Sequence, residues 1–261
     1  MIDFETSLAA LDLALFEKIV SQSTDDDKRS LLAVQSAVRE LQPGFNYVEI
    51  GSYLGGSIQP YLLDSKCASI CSIDKRPVVQ PDSRGFDWKY ENNSTARMLE
   101  KLRAVSEENI GKITTIDGDS RELKPEAVGA KFELCFIDGE HTDGAVVSDF
   151  EFCRRLLTDN GAIVFHDAQI TYNGIAECVS RLERDGVKYN AYVLPNIVFV
   201  VEIGDFPLHR HPMIAERLVN NHRSYLFSLQ DNDNSRQFAN RFPFRQIRSV
   251  RARLRRGNVS T

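Results

Sequence analysis

Two periodicities divide this chain. In the first 42 residues apolar side chains recur at helical spacing. Leu8, Leu11, Leu13, Leu15 and Ile19 mark one apolar face. A turn-like stretch over 21–27 follows. Leu31, Leu32, Val34 and Val38 then mark the inner face of a helix over 27–41, which Pro43-Gly44 stops. From Phe45 short apolar runs alternate with amphipathic stretches. The runs predict strands at 46–50, 69–73, 113–116, 134–137, 162–165, 189–193 and 197–202. Helices are predicted at 56–63, 94–105, 144–157 and 173–185. Continuous apolar strands separated by helices call for a parallel sheet covered on both faces. The last two strands are joined by too short a link for a parallel crossover, so they pair antiparallel. The expected fold is therefore α/β and Rossmann-like: a mostly parallel seven-stranded sheet ending in an antiparallel hairpin, with helices on both faces. Its expected divisions are an N-terminal helical cap (1–44), the α/β domain (45–204) and a C-terminal extension (205–261).

The turn after the first strand carries the first candidate chemistry. In Tyr47-Val48-Glu49-Ile50-Gly51-Ser52-Tyr53-Leu54-Gly55-Gly56-Ser57 the glycines sit where the chain bends toward a helix. Glycine permits close approach and positive φ at no steric cost. Ligands of open α/β sheets bind beyond the carboxyl ends of strands. A dinucleotide fingerprint needs a second glycine two residues after the first, to admit a pyrophosphate. Tyr53 occupies that position and argues against it, while Glu49 suits a cofactor bearing a cationic amino group. A tight strand–helix turn without a ligand is the plain alternative. Asp74 ends the second strand, where an acid accepts hydrogen bonds from ribose hydroxyls. The loop Asp117-Gly118-Asp119-Ser120 follows the third strand and is placed to hold an adenine amino group.

The segments V-E-I-G-S-Y-L-G-G-S, S-I-D, D-G-D-S, F-I-D-G-E-H-T-D-G-A-V-V-S-D-F and G-A-I-V-F-H-D-A occur in this order. Together they resemble the methyltransferase-24 family of class I S-adenosylmethionine-dependent methyltransferases, over about residues 45–203. The resemblance implies S-adenosylmethionine as cofactor. Glu49, Gly51, Ser52, Tyr53, Gly55 and Ser57 would lie around its methionine part, Asp74 at the ribose, and Asp119 and Ser120 at the adenine. Asp138 would sit beside the transferred methyl. The two N-terminal helices and the C-terminal tail fall outside the resemblance.

The residues also define a reaction centre of their own. Asp138 ends the fourth strand and His166-Asp167 end the fifth. Adjacent strands lie ~4.8 Å apart, so these side chains converge. His141, at the start of the next helix, faces the same cleft. Methyl transfer to a hydroxyl needs the acceptor positioned and its proton removed. His141, with Asp138 and His166, is the candidate catalytic set. Asp138, His166 and Asp167 also make a candidate site for Mg²⁺ or another divalent cation that would acidify the hydroxyl. Related metal-dependent O-methyltransferases carry an acid where this chain has His166. Helix N-capping is the plain alternative for Asp138 and Asp167. His209 and His211 lie in a polar stretch that reads as a solvated loop.

Composition narrows the class. An apolar fraction of 42% and a charged fraction of 26% describe a globular chain. Nothing resembles a signal peptide or a membrane span, so a cytoplasmic protein is expected. Five cysteines, an odd number, read as reduced thiols. No acid follows Asp233, whereas eight arginines do. Phe244, Ile247, Val250 and Leu254 recur at helical spacing among them, a basic amphipathic tail. It is read as a peripheral contact with an anionic membrane, as a contact with an acidic subunit in a homo-oligomer, or as a solvated tail. Nucleic acid is not expected as a partner. The leading function is O-methylation of a small-molecule hydroxyl, on a sugar or glycosylated natural product. A dinucleotide-dependent oxidoreductase and a non-catalytic S-adenosylmethionine-binding scaffold are the alternatives.

Overall fold

In the computed structural model, which describes residues 3–243 and 246, five parallel strands form the centre of one sheet. They are β1 (Phe45–Ile50), β2 (Cys67–Asp74), β5 (Ile113–Asp117), β6 (Phe132–Ile137) and β7 (Leu157–Phe165). β9 (Phe199–Ile203) pairs antiparallel with β7, and β8 (Tyr189–Val193) antiparallel with β9. The sheet runs β10-β8-β9-β7-β6-β1-β2-β5, so the antiparallel pair expected at the end is present. The eighth strand, β10 (Asn220–Asn221), is a two-residue edge segment too short to leave a hydrophobic signature. Apart from their second residues and the third of β2, the central strands β1, β2 and β6 are buried, as a sheet covered on both faces requires.

Helices α2 (Asp25–Leu41), α3 (Gln59–Leu63), α4 (Thr95–Val105), α5 (Asp143–Leu156) and α6 (Tyr172–Arg184) surround the sheet. Thr24 and Asp27 close a reciprocal capping box on α2, and Leu31, Leu32, Val34 and Val38 all point inward. The N-terminal apolar face is not one continuous helix. α1 (Phe4–Ala9) stops before Leu11, whose φ is 51°, and Asp12 caps a separate 3₁₀ turn over Leu13–Phe16 by accepting from Ala14 N. Leu8, Leu15 and Phe16 still pack together against Leu32. α3 also starts later than its pattern suggests. The chain over 20–21 crosses Gly56 so closely that a Cβ there would lie 2.9 Å from Ser21 Cα.

The stretch over 75–93 contains a hairpin, β3 (Val79–Pro81) and β4 (Asp87–Lys89). Its period-2 aromatics are Phe86, Trp88 and Tyr90. His209 pairs with Glu202 at 2.7 Å and His211 with Glu40 at 3.2 Å, beside the short α7 (Pro212–Ala215). All five cysteines are buried and free. No helix among the described residues is long and apolar enough to cross a membrane. The chain divides into two compact units, Met1–His222 and Arg223–Thr261. Most of the described part of the second lies in helix α8 (His222–Asn240). The amphipathic pattern of Phe244, Ile247, Val250 and Leu254 lies outside the described residues.

Candidate active site

One row of residues across the sheet creates the site. Ile73, Ile50, Ile137 and Phe165 are in register on β2, β1, β6 and β7. The next position on each strand is Asp74, Gly51, Asp138 and His166. The ladder carries on to hold them: Gly51 N donates to Ile73 O, Asp138 N to Ile50 O and His166 N to Ile137 O, at 2.9–3.0 Å. Strand order reverses at β1, so this row lies at the topological switch point where α/β sheets bind ligands. A cleft of about 380 Å³ opens above it. Asp138, His141, His166, Asp167, Gly51, Ser52, Tyr53 and Ser57 all line this cleft, as do Trp88 and Tyr90 of the hairpin segment.

On the β6–β7 side the carboxylates and imidazoles meet. His166 Nδ1 lies 2.9 Å from Asp167 Oδ2 and 3.1 Å from Asp138 Oδ1. Its Nε2 faces Asp27 Oδ2 at 3.6 Å. Burial opposes the charge on His166, but these three carboxylates outweigh it and raise its pKa well above the usual range. Burial likewise works against ionisation of Asp27, and the neighbouring His166 together with hydrogen bonds from Thr24 overcomes it, holding the carboxyl at about 2. His166 is thus an internal group clamped among three acids, which favour its charged form. His141 Nε2 approaches Asp167 Oδ2 at 3.1 Å. The atoms that come within 4.8 Å of one another belong to Asp138, His141 and Asp167. His141 thus joins the expected set, in which His166 Nδ1 also lies within 3.1 Å of both carboxylates. Two hard oxygens and one imidazole suit a divalent cation.

The glycine loop works mainly by shape. Gly51 has φ 93°, and a Cβ there would stand 2.2 Å from Asp138 O. Its missing side chain is what lets the β1 and β6 ends touch. Gly55 does not line the cleft; a Cβ on it would press on Leu102 of α4 at 2.9 Å. Glu49 lies behind the loop, 0% exposed, accepting from Tyr47 Oη at 2.5 Å and Ser57 Oγ at 2.6 Å. It reaches the cleft only through the Ser57 hydroxyl. Burial raises its pKa from 4.5 to about 7, against the pull of those two hydroxyls. An acid whose folded pKa is raised costs stability as pH climbs from the unfolded to the folded value, and the cost is constant above that. Glu49→Gln should therefore melt several degrees above wild type at pH 8, reflecting roughly 3 kcal/mol, and level with it near pH 4.5. Scanning calorimetry at the two pH values decides; equal melting at pH 8 contradicts the burial argument.

The β2–β5 side holds the other expected residues. Asp74 accepts from Tyr53 N at 2.9 Å and Arg76 N at 2.6 Å. Arg76 also donates to Tyr53 O and reaches Asp117, tying the first and third loops together. Asp119 and Ser120 lie near Asp74 around a space of only about 30 Å³, the share of one water molecule. Ion pairs Lys75–Glu140 and Arg121–Asp119 line it, and Ser120 donates to buried Asp149. The acids and the loop fit an adenosine by chemistry, and these surface pairs have to part to admit one.

Pattern reading missed three contributors. Asp27 reaches the centre from the N-terminal helix, and its Thr24-x-x-Asp27 box was the legible signal. Asp82 is buried, accepts from Trp88 Nε1 at 3.0 Å and pairs with Arg84. Ser83 N donates to His141 O at 2.8 Å, clamping the hairpin tip onto the histidine loop.

Comparison with known proteins agrees with this geometry. Residues 48–168 match the methyltransferase-24 family, described as a methyltransferase domain. Curated proteins give no significant sequence match. Among solved structures, the calicheamicin methyltransferase CalS11 superposes with a TM-score of 0.51 at 16% identity, over 77% of this chain and 93% of that one. An apo structure of CalS11, described as a TDP-rhamnose 3'-O-methyltransferase, gives 0.50 at 15% identity, over 77% and 94%. A candidate O-methyltransferase from Klebsiella pneumoniae gives 0.51 at 12% identity, over 78% and 90%. At such identities the likeness is one of fold. The match to the methyltransferase-24 model covers residues 48–168, the strands that build the cleft, and the solved methyltransferases share the fold around it.

Proposed function

We propose that the protein transfers the methyl group of S-adenosylmethionine to a hydroxyl of a neutral small molecule, a sugar or glycosylated natural product. The convergence of Asp138, His141 and Asp167 at one end of the cleft carries this reading. The cofactor supplies an activated methyl on a sulfonium, and its leaving thioether needs no acid. What the chain must do is orient the hydroxyl and take its proton. In this reading His141 Nε2, 3.1 Å from Asp167 Oδ2, donates to that carboxylate and leaves Nδ1 to take the hydroxyl proton. His166, held by three carboxylates, fixes Asp138 and Asp167 in place.

Two further features favour a neutral polyol. None of the described residues lining the cleft is a lysine or arginine, and the carboxylates of Asp27, Asp138 and Asp167 already surround His166, which disfavours an anionic acceptor. Ser21, Ser23, Thr24, Ser52 and Ser57 line it with hydroxyls suited to hydrogen-bond others. A divalent cation held by Asp138, His141 and Asp167 is the second reading, and it would lower the acceptor's pKa in place of a base. The test is S-adenosylhomocysteine release from a panel of neutral glycosides, with the added methyl located by NMR. Transfer to oxygen that survives EDTA supports the histidine base. Transfer that stops with EDTA and returns with Mg²⁺ supports the metal. Methylation of nitrogen or carbon overturns both.

A further inference from the structure

The segment Phe86-Asp87-Trp88-Lys89-Tyr90 alternates aromatic and polar residues at the strand period. In the hairpin Gln80 pairs with Trp88, Val79 with Lys89, and Tyr90 N donates to Val78 O. The aromatics therefore emerge from the reaction centre in steps. Tyr90 is 8% exposed, Trp88 43% and Phe86 63%. Tyr90 and Trp88 line the cleft with Asp138 and His141, and the Trp88 ring lies 6.1 Å from that of His141.

Trp88 is held in place. Its Nε1 donates to the buried Asp82 carboxylate, Arg84 pairs with the same carboxylate at 2.7 Å, and the Arg84 guanidinium lies 5.7 Å over the Phe86 ring. The chain of contacts Phe86–Arg84–Asp82–Trp88 makes one continuous wall. At about 3.3 Å per residue, four residues from Tyr90 to Phe86 span about 13 Å, longer than a single sugar ring. Val20, 87% exposed, also lines the cleft. Beside its ionic and hydroxylic residues, the cleft lining thus carries the apolar surfaces of Trp88, Tyr90 and Val20. Isolated exposed apolar residues are ordinary, but a run of them continuous with a reaction centre marks a binding surface.

Building on the proposed function, we infer that the acceptor is a neutral glycoside with a second, apolar or aromatic ring beyond the methylated sugar. Trp88 and Phe86 hold that outer ring while the sugar hydroxyl meets Asp138 and His141. Phe86 is a specificity residue for the aglycone and takes no part in the chemistry.

Trp88 is the single tryptophan, so its emission reports on this wall alone. Methyl β-glucoside and phenyl β-glucoside are titrated into the full chain with S-adenosylhomocysteine present. Phenyl β-glucoside should bind about tenfold tighter, the factor expected for covering roughly 60 Å² of ring, and should shift Trp88 emission to the blue. Phe86→Ser, at an exposed position where melting should not change, should erase most of that advantage and leave S-adenosylhomocysteine binding unaltered. Equal affinities, no glycoside-dependent shift, or an advantage that survives Phe86→Ser overturns the inference. So does a shift produced by phosphatidylcholine vesicles alone, which would make the wall a bilayer contact. If the wild type binds S-adenosylhomocysteine, any such failure falls on this inference; if it does not, the methyl-transfer reading itself falls.

Discussion

Gly51→Ala should be among the most damaging single substitutions in the chain, lowering the melting temperature by roughly 8–12 °C and abolishing cofactor binding. The added Cβ would stand 2.2 Å from Asp138 O and 2.5 Å from Asp138 C. Both are backbone atoms, so no side chain can swing aside. The β1 and β6 ends would have to separate just where the reaction centre is assembled. Left-handed φ adds its own strain of about 1–2 kcal/mol for any residue with a Cβ. Gly44 separates the two effects, since its φ is 84° but nothing lies within 4 Å of a Cβ built there. Gly44→Ala should therefore cost only about 1 kcal/mol and leave binding intact. Thermal melts of both variants compare strain alone with strain plus collision. Equal losses would mean that the Gly51 contact with Asp138 is unimportant.

Much of this site was legible because each central strand announces its own end. Ile73-Asp74, Ile50-Gly51, Ile137-Asp138 and Phe165-His166 all pass from a buried apolar residue to a polar or unencumbered one, and the register makes those steps one row. A parallel sheet places strand ends of like polarity together, so sequence order was enough to predict the convergence. Contacts made by remote segments were not legible. Asp27 reads locally as a helix cap, and only the fold brings it to His166. That His141 joins Asp138 and Asp167 at the centre has the same origin. Period and spacing put both histidines at the cleft, but the pairing of His166 Nδ1 with two carboxylates is a matter of angles. The hairpin was obscured by its short strands, three residues each, interrupted by Pro81 and Gly85. Helix α8 is weakly amphipathic and polar, and left little pattern to read.

Asp138→Asn should lower kcat by about 10²–10⁴-fold while changing S-adenosylhomocysteine affinity only a few-fold. The substitution keeps the shape of the side chain and removes its charge. Asp138 faces the cleft and meets the group formed with His141 and Asp167, so both the base and the metal readings lose an essential anion. His166 retains Asp167 at 2.9 Å and Asp27 at 3.6 Å, so the fold around it should hold. The comparison with His141→Ala separates the roles. A base lost at His141 should flatten the acidic limb of the pH–rate profile, whereas Asp138→Asn should lower the whole profile. Activity within tenfold of wild type in Asp138→Asn would remove Asp138 from the reaction centre.

In the proposed reaction the row Asp74–Gly51–Asp138 at the strand ends holds S-adenosylmethionine. Calorimetric titration of S-adenosylhomocysteine into wild type and Asp74→Asn tests it most directly, with NADH as the control ligand. The account predicts saturable binding to the wild type, affinity weakened more than about tenfold in Asp74→Asn through lost charged hydrogen bonds to the ribose, and no heat with NADH. No binding of S-adenosylhomocysteine, equal affinity in Asp74→Asn, or saturable binding of NADH in its place would contradict it.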